Sequence, residues 1–146
     1  MIRIDAVRER IADQVPALAG KLEAAGKFAD LVERNQVPQN TPAGFVLLGG
    51  LKGGTAEMMT GMFVQNFTEG TIVVICDRNA GDALGARSTD VITPIVRDVI
   101  TAVCGWGPDD APGVFVLDAA ELVGVKGGVL IFEIVFRLND QLRITS

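Results

Sequence analysis

Hydrophobic and polar positions alternate along this chain in two periods, and the changes between them divide it into elements. Ile4, Val7, Ile11 and Val15 recur at helical spacing, with Arg3, Arg8, Glu9, Arg10 and Asp13 on the opposite face. The pattern predicts a helix near residues 2–14, stopped by Pro16. Leu18, Leu22, Ala25, Ala29 and Val32 could form one further stripe. Gly20 and Gly26 interrupt it, so a short extended piece at 20–24 and a helix at 26–35 are expected instead. Pro38 and Pro42 bias their predecessors away from helix and mark residues 35–42 as a loop. A second helical stripe, Ile92, Ile95, Val96, Val99, Ile100 and Val103, predicts a helix to about residue 104, closed by Gly105 as a left-handed cap. Pro94 belongs either in its first turn or inside a longer helix beginning near Asp82. Trp106 is then placed to fold back on the last turn.

The remaining runs have strand character. Ala43–Leu48 reads as a strand, followed by Gly49-Gly-Leu-Lys-Gly-Gly-Thr-Ala-Glu-Met-Met-Thr60 as a flexible arm or a long hairpin tip. Residues 61–77 form one long strand, or two in line, with Gly70 as the expected bulge or bend. Its segment Ile72–Cys76 is apolar on both faces, as suits a central strand. Residues 78–86 read as a polar loop. Gly113–Val125 and Val129–Leu138 flank Lys126-Gly127-Gly128, a glycine turn of the tight-hairpin kind. Leu130, Phe132, Ile134, Phe136 and Leu138 alternate onto one buried face. The tail Asn139–Ser146 carries Leu142 and Ile144 beyond that strand, either frayed or offering an edge to a neighbour. The expected class is α+β: one domain over 1–146, with a mainly antiparallel sheet of four to five strands and two to three helices packed on one face.

Composition narrows the chemistry. At 146 residues, 49% hydrophobic and 21% charged, the chain suits a single domain with a real core. The longest unbroken apolar run, Ile72–Cys76, is far too short to span a membrane as a helix, and no secretory signal is expected at the N-terminus. With no histidine in the sequence, His-containing zinc sites and Ser–His or Cys–His catalytic pairs are excluded. Cys76 and Cys104, in apolar surroundings and without a CxxC pair, read as buried thiols in a reducing compartment. A net charge of -5 with no clustered basic residues argues against a groove that tracks nucleic-acid phosphates. An acidic protein can still line a passage through which DNA slides without sticking.

No spacing nominates a catalytic or metal site. Gly49 and Gly54 have the separation of a phosphate loop, but Thr55 stands where its lysine belongs and Lys52 is misplaced. Glu69, Asp77 and Asp82 could in principle converge as a carboxylate group. Arg78, Asp82 and Arg87 could bind a small anion or bridge a subunit boundary. Met58 and Met59, on a loop tip, suggest contact with an irregular partner surface.

The chain resembles the tail terminator, or tail completion, proteins of long-tailed bacteriophages over nearly its whole length. The resemblance rests on Val7-Arg8 with Arg10-Ile11, Val15-Pro16, Ala24-Ala25 with Phe28-Ala29, and Pro38-Gln39. It continues through Pro42-Ala43 with Phe45-Val46, Gly61 with Phe63 and Gln65, Glu69, and Arg78. Gly81-Asp82 with Gly85, Gly105-Trp106 and Gln141-Leu142-Arg143 complete it. It implies a structural, non-enzymatic virion subunit without cofactor or metal. Such subunits assemble with themselves, in the host cytoplasm, into a hexameric ring on the head-proximal end of the tail tube. The ring stops tube growth and offers a docking surface to the head-completion protein, while double-stranded DNA passes its lumen without sequence-specific binding. Lys52, Glu57, Met58, Met59, Arg78, Asp82, Arg87, Leu142 and Arg143 are the residues expected to meet the tube, the connector or a neighbouring subunit. Two alternatives remain: another head–tail joining component, or a small oligomeric enzyme or ligand-binding domain using its acidic residues.

Overall fold

The computed structural model describes residues 2–23, 25–78 and 86–145, the side chains of 86–91 excepted. The first helical stripe forms α1 (Ile4–Gln14), which buries Val7 and Ile11. Pro16 cannot continue it and opens a single 3-10 turn through Leu18. A two-residue strand, β1 (Leu22–Glu23), precedes α2 (Ala25–Glu33). Two 17-residue strands, β2 (Ala43–Met59) and β3 (Met62–Arg78), then form one long hairpin. After α3 (Ala86–Val103), β4 (Val116–Lys126) and β5 (Val129–Thr145) close the chain. Gly127 and Gly128 turn between them at φ +56° and +76°, the left-handed pair that a two-residue hairpin requires.

The sheet runs in the order β1-β2-β3-β5-β4, antiparallel except where Leu22 and Glu23 lie parallel to Gly44 and Phe45. The α+β class and the mainly antiparallel sheet are as expected, with β3 in the centre. Alternation along β3 separates two cores. Val73 and Ile75 face α1 and α3, joined by Val46, Ile134, Phe136 and Leu138. Val74 and Cys76 face the other way with Phe45 and Val129, and Phe28 and Leu31 of α2 pack over them. Phe28 and Phe45 meet with ring centroids 5.1 Å apart. Only α1 and α3 therefore share one face, while α2 covers the other. An apolar stripe says that a helix has a buried side, but not which side of a sheet it meets.

Pro94 lies inside α3, eight residues beyond Ala86 and on its exposed side, so it is not in the first turn; the expected start near Asp82 lies outside the described residues. Gly105 takes φ +77°, and the Trp106 amide returns to the Val103 carbonyl. Trp106 then stacks on Phe115 at 5.9 Å, with the Arg10 guanidinium 5.4 Å from its ring centroid.

Strand pairing decides three points that the sequence left open or misplaced. Of the two readings of residues 49–59, the long hairpin tip holds and the flexible arm does not, because β2 stays paired with β3 as far as Met59↔Met62. The bulge lies across from Gly70 rather than in β3: Leu48 pairs with Thr71 and Gly50 with Gly70, leaving Gly49 as the extra residue. Glycine is required there, since Gly50 has φ +114° and a Cβ on Gly49 would stand 3.0 Å from the Gly70 carbonyl carbon. The tail is not frayed either, for β5 pairs with β3 down to Met62↔Thr145.

Candidate interaction surface

Beyond the Gly49–Gly70 bulge the hairpin leaves the body, and β5 follows it. Residues 51–59, 62–69 and 138–145 form a three-stranded arm about 30 Å long, from nine residues at the strand rise. Directly paired residues share a face, so the register sorts the side chains. One face carries Leu51, Ala56, Met58, Phe63, Phe67, Leu142 and Ile144, with Gln65 and Asp140 as its polar members, continuous with the α1/α3 side of the sheet. The other carries Lys52, Glu57, Val64, Asn66, Thr68, Gln141 and Arg143, with Met59 and Met62 at its tip. On this polar face Gln141 donates to Asn66 at 3.1 Å, Thr68 to Asn139 at 3.2 Å, and Arg143 to Gln141 at 2.6 Å. Among the described residues no helix covers the tip of the apolar face, where Met58 is 77% exposed and Ile144 51%.

The arm is held to the body by a charged cluster that sequence spacing could not reveal. Arg3, expected on a solvated helix face, is buried. Its Nε donates to Asp110 at 3.2 Å and its Nη2 to Asp140 at 2.8 Å, while Nη1 stands 3.5 Å from Glu69 Oε1. Burial opposes the Arg3 charge, but hydrogen bonds to Asp140 and Asp110 raise its pKa above the ordinary value. Burial pushes the Glu69 carboxyl up, and the nearby Arg3 charge reverses only part of that. Asp110, exposed, is held below the ordinary range by its hydrogen bond from Arg3. Among the described residues no hydrogen bond reaches the Thr71 hydroxyl, while the Arg3 backbone amide adds to the pull that lowers the Glu69 pKa.

The structure thus brings Lys52, Glu57, Met58, Met59, Leu142 and Arg143 together on one arm. Arg78 lies at the opposite end of β3, where it braces the fold. Its Nη2 donates to the Pro38 carbonyl at 3.0 Å, Nη1 to that of Gly127 at 3.4 Å, and its amide to Thr41 at 3.1 Å. Asp82 and the Arg87 side chain lie outside the described residues. Leu51 and Phe63 were missed as members of the surface. Their signal was their place opposite Glu69 and Met58, which appears only once the register is known.

Near Arg78 a cleft of about 1240 Å³ opens between α2, the 35–42 loop and the β4–β5 turn. Lys21, Lys27, Arg78 and Lys126 line it, against Glu23 as the one acid among the described residues, and Lys126 is tied to Asn35. The acidic-residue alternative fares poorly in geometry. Glu69 and Asp77 stand eight residues apart on one strand, about 27 Å, and cannot share a substrate. No group of three metal-ligating side chains occurs among the described residues.

A long two-faced arm on a small α+β body is a shape for assembly, and the family comparison agrees. The profile of the phage tail terminator protein family matches residues 1–146, the whole chain. The chain belongs to that family. No curated protein sequence matches it. Family membership makes this a structural protein of the phage tail. Among the described residues, no helix is long and apolar enough to cross a membrane.

Proposed function

We propose that this tail terminator subunit assembles into a ring, hexameric as the resemblance implies, on the head-proximal end of the tail tube. The ring ends tube polymerisation and presents its outer face to the head-completion protein, while DNA passes through the lumen. The observation that carries this reading is the arm, with apolar Met58, Phe63, Leu142 and Ile144 on one face and a hydrogen-bonded polar layer on the other. A monomer gains nothing by leaving such a face wet, whereas a subunit that docks buries it. Termination follows if the face toward the tube imitates the next tube ring and the opposite face accepts no further tube subunit. No step of this function involves catalysis. The net charge of -5 suits a lumen that must not hold DNA.

Deleting the gene and imaging particles by negative-stain electron microscopy tests the proposal. Tails of abnormal length beside unjoined heads are expected. Tails of normal length beside unjoined heads would reassign the subunit to another head–tail joining role. Intact particles would overturn both.

A further inference from the structure

The sheet has two open edges, each interrupted by two bulges. On its outer side β2 meets β1 only at Gly44 and Phe45, so from Val46 to Met59 it has no partner strand among the described residues. On the other side β4 pairs with β5 alone among the described residues. Isolated proteins blunt such edges with lysines, prolines or very short strands. Here the two edges run to 14 and 11 residues without a proline, and Lys52 and the terminal Lys126 are their only lysines. The exposed apolar side chains are concentrated on them. Leu48, Leu51, Met58 and Met59 stand on β2, and Val116, Leu117, Leu122, Val123 and Val125 on β4.

Topology fixes how these edges can meet. β2 and β5 are both antiparallel to β3, and β4 is antiparallel to β5, so β2 and β4 run in opposite directions. A rotation about an axis along the strands preserves strand direction. It therefore brings β2 of one copy beside β4 of the next in the antiparallel sense, the more stable ladder. Such a contact is heterologous and closes into a ring. Charge argues against the self-complementary alternative. β4 carries Asp118 and Glu121, with Glu133 of β5 directly opposite Glu121, so β4 against β4 would bring acids together. β2 carries one charge of each sign, Lys52 and Glu57, and so lacks the acidic surplus of β4.

We propose that the β2 edge of one copy pairs antiparallel with the β4 edge of its neighbour, forming one continuous sheet around the ring. The proposal rests on the ring reading and assigns its subunit contact. The test uses two full-length variants, Leu48→Lys with Met59→Lys on β2 and Val123→Lys with Val125→Lys on β4. Each is checked for wild-type melting and examined by native mass spectrometry. The wild type should form rings and each variant alone should be monomeric. An equimolar mixture should stop at a heterodimer, because only one intact edge of each kind remains. Rings from either variant alone, or a β2 variant that dimerises with itself, would overturn the pairing. A wild type that stays monomeric would overturn it too, whereas failure of the tail reading would show separately in the gene-deletion particles. Should a double variant melt well below wild type, single Leu48→Lys and Val125→Lys substitutions serve the same mixing test.

Discussion

Replacing Arg3 by methionine keeps much of the side chain's length and removes its charge. The carboxylate of Glu69, fully buried and facing Arg3 at 3.5 Å, then loses its opposing charge, and Asp140 loses a 2.8 Å hydrogen bond. Removing one partner of a buried ion pair costs about 3–5 kcal/mol, because the other charge stays buried and uncompensated. Against a total stability of roughly 5–15 kcal/mol, that is a large share. In a domain of this size it lowers the melting midpoint by roughly 6–20 °C. Glu69 also gives the effect a pH signature. Its folded pKa lies above that of an unfolded carboxyl, so the folded state holds the proton more tightly. The stability this confers is fully present below the unfolded value, about 4.3, and is lost as pH rises through the folded pKa. Without Arg3 the folded pKa rises further, so the deficit of Arg3→Met should be small in acid and full near neutrality. Urea titrations at several pH values, followed by the single tryptophan Trp106, measure this directly. Adding Glu69→Gln to Arg3→Met should restore part of the loss. A deficit below about 1 kcal/mol would refute the reasoning. So would a deficit independent of pH, or a double variant no better than Arg3→Met.

Trp106→Ala removes the stack on Phe115 and the seat of Arg10, and should cost roughly 3 kcal/mol or more by thermal melting followed by circular dichroism. Met58→Asp with Met59→Asp should leave a folded subunit that fails to dock or close a ring; unchanged yield of particles with normal tails would contradict this. The Cys76 thiol, buried and pushed up to about 11 by desolvation, should resist a thiol reagent at pH 8 until the protein unfolds, with Cys104 modified first. Rapid labelling of Cys76 in the native protein would show that its core opens.

The helices were legible because their apolar spacing is local: Val7 and Ile11, or Val99 and Val103, declare a buried side without reference to anything distant. The β4–β5 turn was legible for the same reason, since two adjacent glycines specify it. What could not be read is what depends on partners far along the chain. Residues 49–59, with four glycines near their start, lack a strand's alternation, and only pairing to β3 and then β5 makes them a strand. Arg3 looked like one more solvated charge, because Glu69 and Asp140 come to it only through the register of three strands. Met58, Met59, Leu142 and Arg143 could be nominated from composition and resemblance. That they share one arm, with Arg78 at the far end of the same sheet, could not.

The register of β3 with β5 also sets a schedule for synthesis. Arg78 must wait for Val129, and Met62 for Thr145. Once β3 has left the ribosome, another 67 residues must follow before β5 is complete, about 3–13 s at ~5–20 residues per second. Through that interval the β2–β3 hairpin stands open on the side where β5 will lie, with Phe63, Val73 and Ile75 uncovered. Contacts of such long sequence separation also fold slowly. A nascent chain is thus most prone to stray pairing before its last strand arrives, and yield from an expression host should respond more to slower growth and chaperone supply than to any change in the finished fold.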